Sequence, residues 1–155
     1  MPKYSHTVED YMEAIYVLIR DKGYARTKDI SLALRLTPAS VTEMLHKLSA
    51  MKLIKHEPYS PILLTKKGES LAKSVKTRHD TLKKLFKIVH VSDRTAERDA
   101  CNVEHQLSPE TIDQLTKFVE FVEKAPIYPK WLEHFKCYCD TGDYTCDHEE
   151  KRETS

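Results

Sequence analysis

The run Cys101-x-x-Glu104-His105 holds three groups that can each bind a divalent transition metal: a thiolate, a carboxylate and an imidazole. Their spacing is i, i+3 and i+4, which in a helix puts all three on one face. Asp10-x-x-Glu13 repeats the i, i+3 spacing near the start of the chain, and His79 supplies a second imidazole between the two. If the two faces meet beside His79, a metal would tie the beginning of the chain to its middle and change the molecule's shape. The same ligands with an open coordination position would suit a metalloenzyme. No separate general base and no His-Glu-x-x-His spacing accompanies them, so the chain is expected to have no catalytic residues and no organic substrate.

These groups have to be positioned by helices. Residues 7–21 read as an amphipathic helix with Thr7 as cap, an apolar stripe of Tyr11, Ile15, Leu18 and Ile19, and Gly23 as its end. Residues 27–35 follow with Thr27 as cap. Leu36-Thr37-Pro38 then makes a turn, with Thr37 at the N-cap and Pro38 at the first position of a helix over 38–51. Two short helices joined by a tight turn form a helix-turn-helix pattern. Residues 53–57 and 62–65 read as short strands around Pro58-Tyr59-Ser60-Pro61, a β-hairpin wing. A long helix over 66–89 leads to one over 93–107 that carries Cys101, Glu104 and His105 and is capped by Ser92 or Asp93. Ser108 and Pro109 restart a helix that Pro126 and Pro129 stop, and the chain from Trp131 reads as loop and frayed end. The expected fold is mainly α with a small β wing. A winged helix over residues 1–72 precedes an all-helical domain over 73–136 and a Cys-bearing flexible tail over 137–155.

Charge is unevenly spread along the 155 residues. Residues 1–91 carry 17 Lys and Arg against nine Asp and Glu, whereas residues 92–155 carry eight against 15. A basic first part suits a polyanion such as double-stranded DNA, and an acidic second part suits a metal or another protein. The helix starting at Pro38 has small and hydroxyl residues at its N-terminus, which permit close approach to base edges and phosphates. The candidate DNA contacts are Thr27, Lys28, Thr37, Pro38, Ala39, Ser40, Thr42, His46 and Lys47, with Tyr59 and Ser60 at the wing tip. Mean hydropathy is −0.56. The N-terminus has no apolar leader, and no run approaches the roughly 18 apolar residues of a membrane span. A cytoplasmic protein without a membrane partner is therefore expected.

Of the four cysteines, Cys101 stands alone. Cys137-x-Cys139 with Cys146-x-His148 offers four zinc ligands, although the usual Cys-x-x-Cys knuckle is missing; the other reading is free thiols in a flexible tail.

The segments TVEDYMEAIYVL, LTPASVTEMLHKL, ILLTKKG, KTRHD and ACNVEHQLS together resemble the diphtheria toxin repressor family of metal-activated repressors, over roughly residues 7–125. The form resembled is the two-domain one, without the SH3-like third domain. The resemblance implies metal ligands at Asp10, Glu13, His79, Cys101, Glu104 and His105, a recognition helix over 38–51, and a homodimer formed through the helices after residue 65. The match is mixed between branches. Asp10 stands where the manganese-responsive branch has Asp, and Cys101 where the iron-responsive branch has Cys. Lys83 stands where the iron branch has an acidic ligand, and Glu97, one turn before Cys101, is a candidate substitute ligand. A thiolate with carboxylates points to Fe²⁺, with Mn²⁺, Co²⁺ and Zn²⁺ as alternatives. The function implied is a metal-dependent repressor of metal-homeostasis genes. A metal-independent winged-helix regulator that senses an organic ligand is the rival reading, and a chelator would distinguish the two.

Overall fold

The computed structural model describes residues 4–57, 60–127 and 129–143. Seven helices and one small sheet appear among them: α1 (His6–Lys22), α2 (Thr27–Leu34), α3 (Pro38–Ala50), β1 (Ile54–Lys55), β2 (Leu63–Leu64), α4 (Lys66–Ile88), α5 (Asp93–Val103), α6 (Pro109–Glu123) and α7 (Lys130–Thr141). The chain is mainly helical with a two-stranded wing, as its patterning implies.

Local chemistry sets most helix starts. Thr37, Ser92 and Ser108 each accept a hydrogen bond from the backbone N–H three residues on, which satisfies a donor that has no partner inside the helix. Two caps differ from expectation. Helix α1 begins two residues earlier than a Thr7 cap would require, because Ser5 accepts from Val8 N. At α2 the cap is Arg26, whose N–H donates to Asp29 Oδ2 at 3.2 Å, and Thr27 is the first helical residue. The turn after α2 has no glycine. Arg35 takes the left-handed conformation at φ 56°, Leu36 N donates to Ser31 O, and Ser31 Oγ donates to Leu36 O.

The N-terminal core joins Val8, Tyr11, Met12 and Ile15 of α1 to Ile30, Val41, Leu45, Leu48, Leu53, Ile54, Ile62 and Ala72. These are the apolar stripes of three helices closing on one another. The wing is shorter than predicted: its antiparallel register pairs Ile54 with Leu64 and Lys55 with Leu63 and extends no further. Ile62 N instead donates to Ala25 O, tying the wing to the α1–α2 connection.

Thr65 joins the wing to α4. Its Oγ1 accepts from Gly68 N and donates to the carbonyls of Lys52 and Leu53. Thr65→Ala is expected to cost about 1–2 kcal/mol, as the loss of a cap and of one further hydrogen bond. A lower urea midpoint with unchanged slope would register it.

Helix α4 packs against α1, α5 and α6, so it belongs to both halves of the molecule. Val75 and Leu82 of α4, Ala96 and Ala100 of α5 and Val119 of α6 are buried. The region from Trp131 to Thr141 is helical, which corrects its reading as loop. Pro129 starts α7 and Gly142, at φ 77°, ends it. Leu132 is 2% exposed, Trp131 lies against Phe118, and Phe135 stacks on His90. The apolar side chains at 131, 132 and 135 follow helical spacing and supply the packing that a short helix needs. No helix of the described residues is long and apolar enough to cross a membrane.

Candidate metal centre

The predicted helix over 93–107 ends at Val103, and that ending shapes the site. Glu104 caps α5, Gln106 N bonds back to Val103 O, and the chain turns. The Glu104 carboxylate therefore points inward. Its residue is 0% exposed, and its oxygens face two imidazoles: Oε2 is 3.0 Å from His79 Nδ1 on α4, and Oε1 is 3.3 Å from His105 Nε2.

Helix α1 closes the site from the other side. Asp10 Oδ1 lies 2.9 Å from His105 Nε2, across 95 residues of sequence. Glu13, one turn further along α1, reaches the His79 side. Two groups of donor atoms result, each with its atoms within 4.8 Å of one another: Asp10, Glu104 and His105, and Glu13, His79 and Glu104. Glu104 is common to both.

The electrostatics suit a bound cation. Burial, reinforced by Glu104, pushes the Glu13 carboxyl up, while His79, Lys76 and other neighbours modulate that shift. The hydrogen bond that His79 donates to Glu104 holds its imidazole above the ordinary range against burial. Glu104 Oε1 is buried and accepts no hydrogen bond, although an imidazole nitrogen is close to it. A carboxylate oxygen removed from water without a donor is costly unless a charge meets it. Three carboxylates and two imidazoles converging around it make a donor set suited to a divalent transition metal.

Five of the six residues named in the sequence as ligands are thus brought together. Cys101 falls outside both groups of donors and is exposed. It sits one turn before Glu104 at the rim of the site, where partial desolvation and then the carboxylates of Glu104, Asp10, Glu13 and Glu97 push its thiol up to about 11. Glu97 also falls outside both groups. Its Oε1 meets the far nitrogen of His79, Nε2, at 3.1 Å, and its other oxygen pairs with Lys83, which lowers its carboxyl below the usual range. That arrangement ties His79 to α5 on the side away from Glu104.

Glu9, Arg78 and His6 carried no prediction. Glu9 is buried beside Val8 and Met12 and accepts from Arg78 and His105. His6 stacks on the His105 ring with centroids 4.8 Å apart. The available signal was Glu9 itself, an acid on the packed face of α1, where a charge needs a partner.

At the other candidate surface, Thr37, Pro38, Ala39, Ser40, Thr42, His46 and Lys47 are exposed on or just before α3, as are Lys28 and Ser60. Thr27 is half-buried at the start of α2. Thr37 and Ser40 share a hydrogen bond, Thr42 Oγ1 donates to Pro38 O, and Lys47 pairs with Glu43. His46 meets His56 of the wing edge-on. Tyr59 lies outside the described residues. Of the tail donors, Cys137 and Cys139 sit on α7, which corrects their placement in a flexible tail. Cys146 and His148 lie outside the described residues.

Residues 3–62 match the family described as iron dependent repressor, N-terminal DNA binding domain. Residues 65–131 match iron dependent repressor, metal binding and dimerisation domain. The chain is 38% identical over 130 residues to the HTH-type transcriptional regulator MntR of Lysinibacillus sphaericus (strain C3-41), covering 84% of this chain and 94% of that protein. Among solved structures it is similar to the manganese regulator SloR, with a TM-score of 0.64 and 28% identity over 74% of this chain. It is also similar to T. acidophilum IdeR, with a TM-score of 0.64 and 25% identity over 71% of this chain. The chain spans about half the length of these two, 54% and 52%.

Proposed function

The chain belongs to the iron-dependent repressor family and is a metal-dependent transcriptional repressor; from that premise we propose that Asp10, Glu13, His79, Glu104 and His105 hold its effector ion. The carrying observation is Glu104, buried between two imidazoles with one oxygen lacking a hydrogen bond. The two donor groups share it, so Asp10 and His105 on one side and Glu13 and His79 on the other would hold divalent metal with Glu104 as a common ligand.

A divalent cation bound here supplies the positive charge that lets three carboxylates share one buried space. The protein's own part is mechanical. Asp10 and Glu13 belong to α1 of the winged helix, His79 to α4, and Glu104 and His105 to the turn after α5. Drawing these donors together fixes α1 against α4 and hence fixes where α3 is presented. In a homodimer, that sets the distance between two recognition helices relative to two half-sites on one face of double-stranded DNA. A tenfold gain in operator affinity requires the closed arrangement to be favoured by only about 1.4 kcal/mol. Exposed apolar side chains on and beside α6 and α7, among them Phe121, Ile127 and Trp131, support an interface with a second copy. The exposed hydroxyls and small residues starting at Thr37 support α3 as the reading helix, with Lys28, His46, Lys47, Tyr59 and Ser60 as flanking contacts.

Mn²⁺ is the effector favoured here. The gathered donors are oxygen and imidazole nitrogen, which suit Mn²⁺, and the Cys101 thiol stands apart from them. Relatives named as manganese regulators support the same reading. Fe²⁺ is the second reading, favoured by the Cys101 thiol at the rim, which turned inward would add a softer ligand.

Operator binding measured with Mn²⁺, Fe²⁺, Co²⁺ and Zn²⁺, against a chelator control, tests the scheme. His105→Ala is expected to lose metal-dependent binding while keeping its helical content. Operator binding by that variant that still responded to added metal would exclude the assignment.

A further inference from the structure

Glu9 lies next to a proposed ligand in sequence but belongs to neither group of donors. It is 10% exposed at its side chain, and one oxygen, Oε2, receives two partners from distant parts of the chain. Arg78 Nη2 of α4 meets it at 2.6 Å and His105 Nδ1 at 2.7 Å. The His105 side chain is 5% exposed, and its opposite nitrogen, Nε2, faces Asp10 and Glu104.

An imidazole can give a lone pair from Nε2 only when the ring hydrogen sits on Nδ1. Glu9 is an acceptor placed at that nitrogen. Arg78 in turn holds the Glu9 carboxylate, leaving little freedom for either group to turn. Arg78 Nε is buried without a hydrogen bond, so the Glu9 carboxylate is the anionic partner that this guanidinium has among the described contacts.

We propose that Glu9, held by Arg78, is a positioning residue that aims His105 Nε2 into the metal centre. The same contact joins α1 to α4 beside the centre. Other metal-ligating histidines depend on such carboxylate partners in the same way. This inference rests on the metal-centre reading above. It adds a residue that contributes no donor atom and yet selects which nitrogen is offered.

The test compares the full-length wild-type protein with Glu9→Gln, Arg78→Lys and His105→Ala. Free Mn²⁺ is followed by electron paramagnetic resonance during titration, and bound Co²⁺ by its visible absorption. For Glu9→Gln, the Mn²⁺ site that needs His105 is expected to weaken by roughly 10- to 100-fold, with a changed Co²⁺ spectrum. The site that needs Glu13 and His79 should stay within about threefold, since no group there touches Glu9. Arg78→Lys, which keeps the charge but not the planar fork, is expected to show a smaller change in the same direction. A purely structural role predicts a different pattern: a lower metal-free unfolding temperature, both sites weakened alike, and an unaltered Co²⁺ spectrum in the loaded fraction. That pattern, or wild-type affinity in Glu9→Gln, overturns the positioning role alone. If Glu9→Gln fails to fold, an unaltered Co²⁺ spectrum and Mn²⁺ affinity in Arg78→Lys overturns it instead. Absence of Mn²⁺ and Co²⁺ binding in the wild type overturns the metal centre itself, and this inference with it.

Discussion

Replacing Glu104 with Gln is expected to weaken divalent-metal binding by at least about 100-fold, the upper end of what even an outer-shell change costs, and to remove metal-dependent operator binding. The size of the effect follows from position. Glu104 is the only residue common to both donor groups, so one substitution removes a charge from each. Gln keeps the shape and one oxygen toward His79 Nδ1, so the fold should survive; calorimetric titration beside circular dichroism would separate lost binding from lost structure. Retention of near wild-type affinity would mean that the buried carboxylate serves packing alone.

The same substitution has a pH-dependent signature without metal. The hydrogen bond that His79 donates to Glu104 stabilises the charged imidazole and raises its folded value above the unfolded one. That contribution is fully present below the unfolded value, about 6.5, and disappears as pH rises through the raised folded value. Wild-type and Glu104→Gln unfolding midpoints should therefore lie furthest apart in mildly acid solution and approach one another on the alkaline side.

Gly68→Ala is expected to destabilise the winged helix by about 3 kcal/mol, a fall of roughly 10 °C for a chain of this size. Gly68 lies in the first turn of α4, pressed against the chain that leaves α3. An added Cβ would sit 1.9 Å from Leu53 O and 2.8 Å from Leu53 C. That carbonyl also accepts from Thr65 N and Thr65 Oγ1, so it cannot retreat without breaking the junction between wing and helix. Differential scanning calorimetry of the metal-free protein would read the change. A shift of only 1–2 °C would show that the junction is softer than its contacts imply.

The caps at Thr37, Ser92 and Ser108 and the stripe on α1 were legible in the sequence because they depend on residues three or four apart. The donor residues were legible for the same reason. Cys101, Glu104 and His105 have the spacing of one helix face, but α5 ends at Val103, and the turn that follows sends Glu104 and His105 inward while Cys101 stays at the rim. Helix α7 is not legible in the sequence, because its aromatic and Cys residues have the composition of a tail and its packing depends on the neighbours that Leu132 and Phe135 find in the fold.

By itself the amino-acid order determined the helix starts after Thr37, Ser92 and Ser108, the winged pattern and which side chains are able to bind a metal, since these are short-range matters of spacing and side-chain type. Only the tertiary structure decided that Glu104 would serve both imidazoles, that Glu9 would meet Arg78 and His105, and that Cys101 would stand aside. Those outcomes depend on contacts between residues 25 to 96 positions apart. They are selected by the packing of α1, α4 and α5 against one another, which no local spacing encodes.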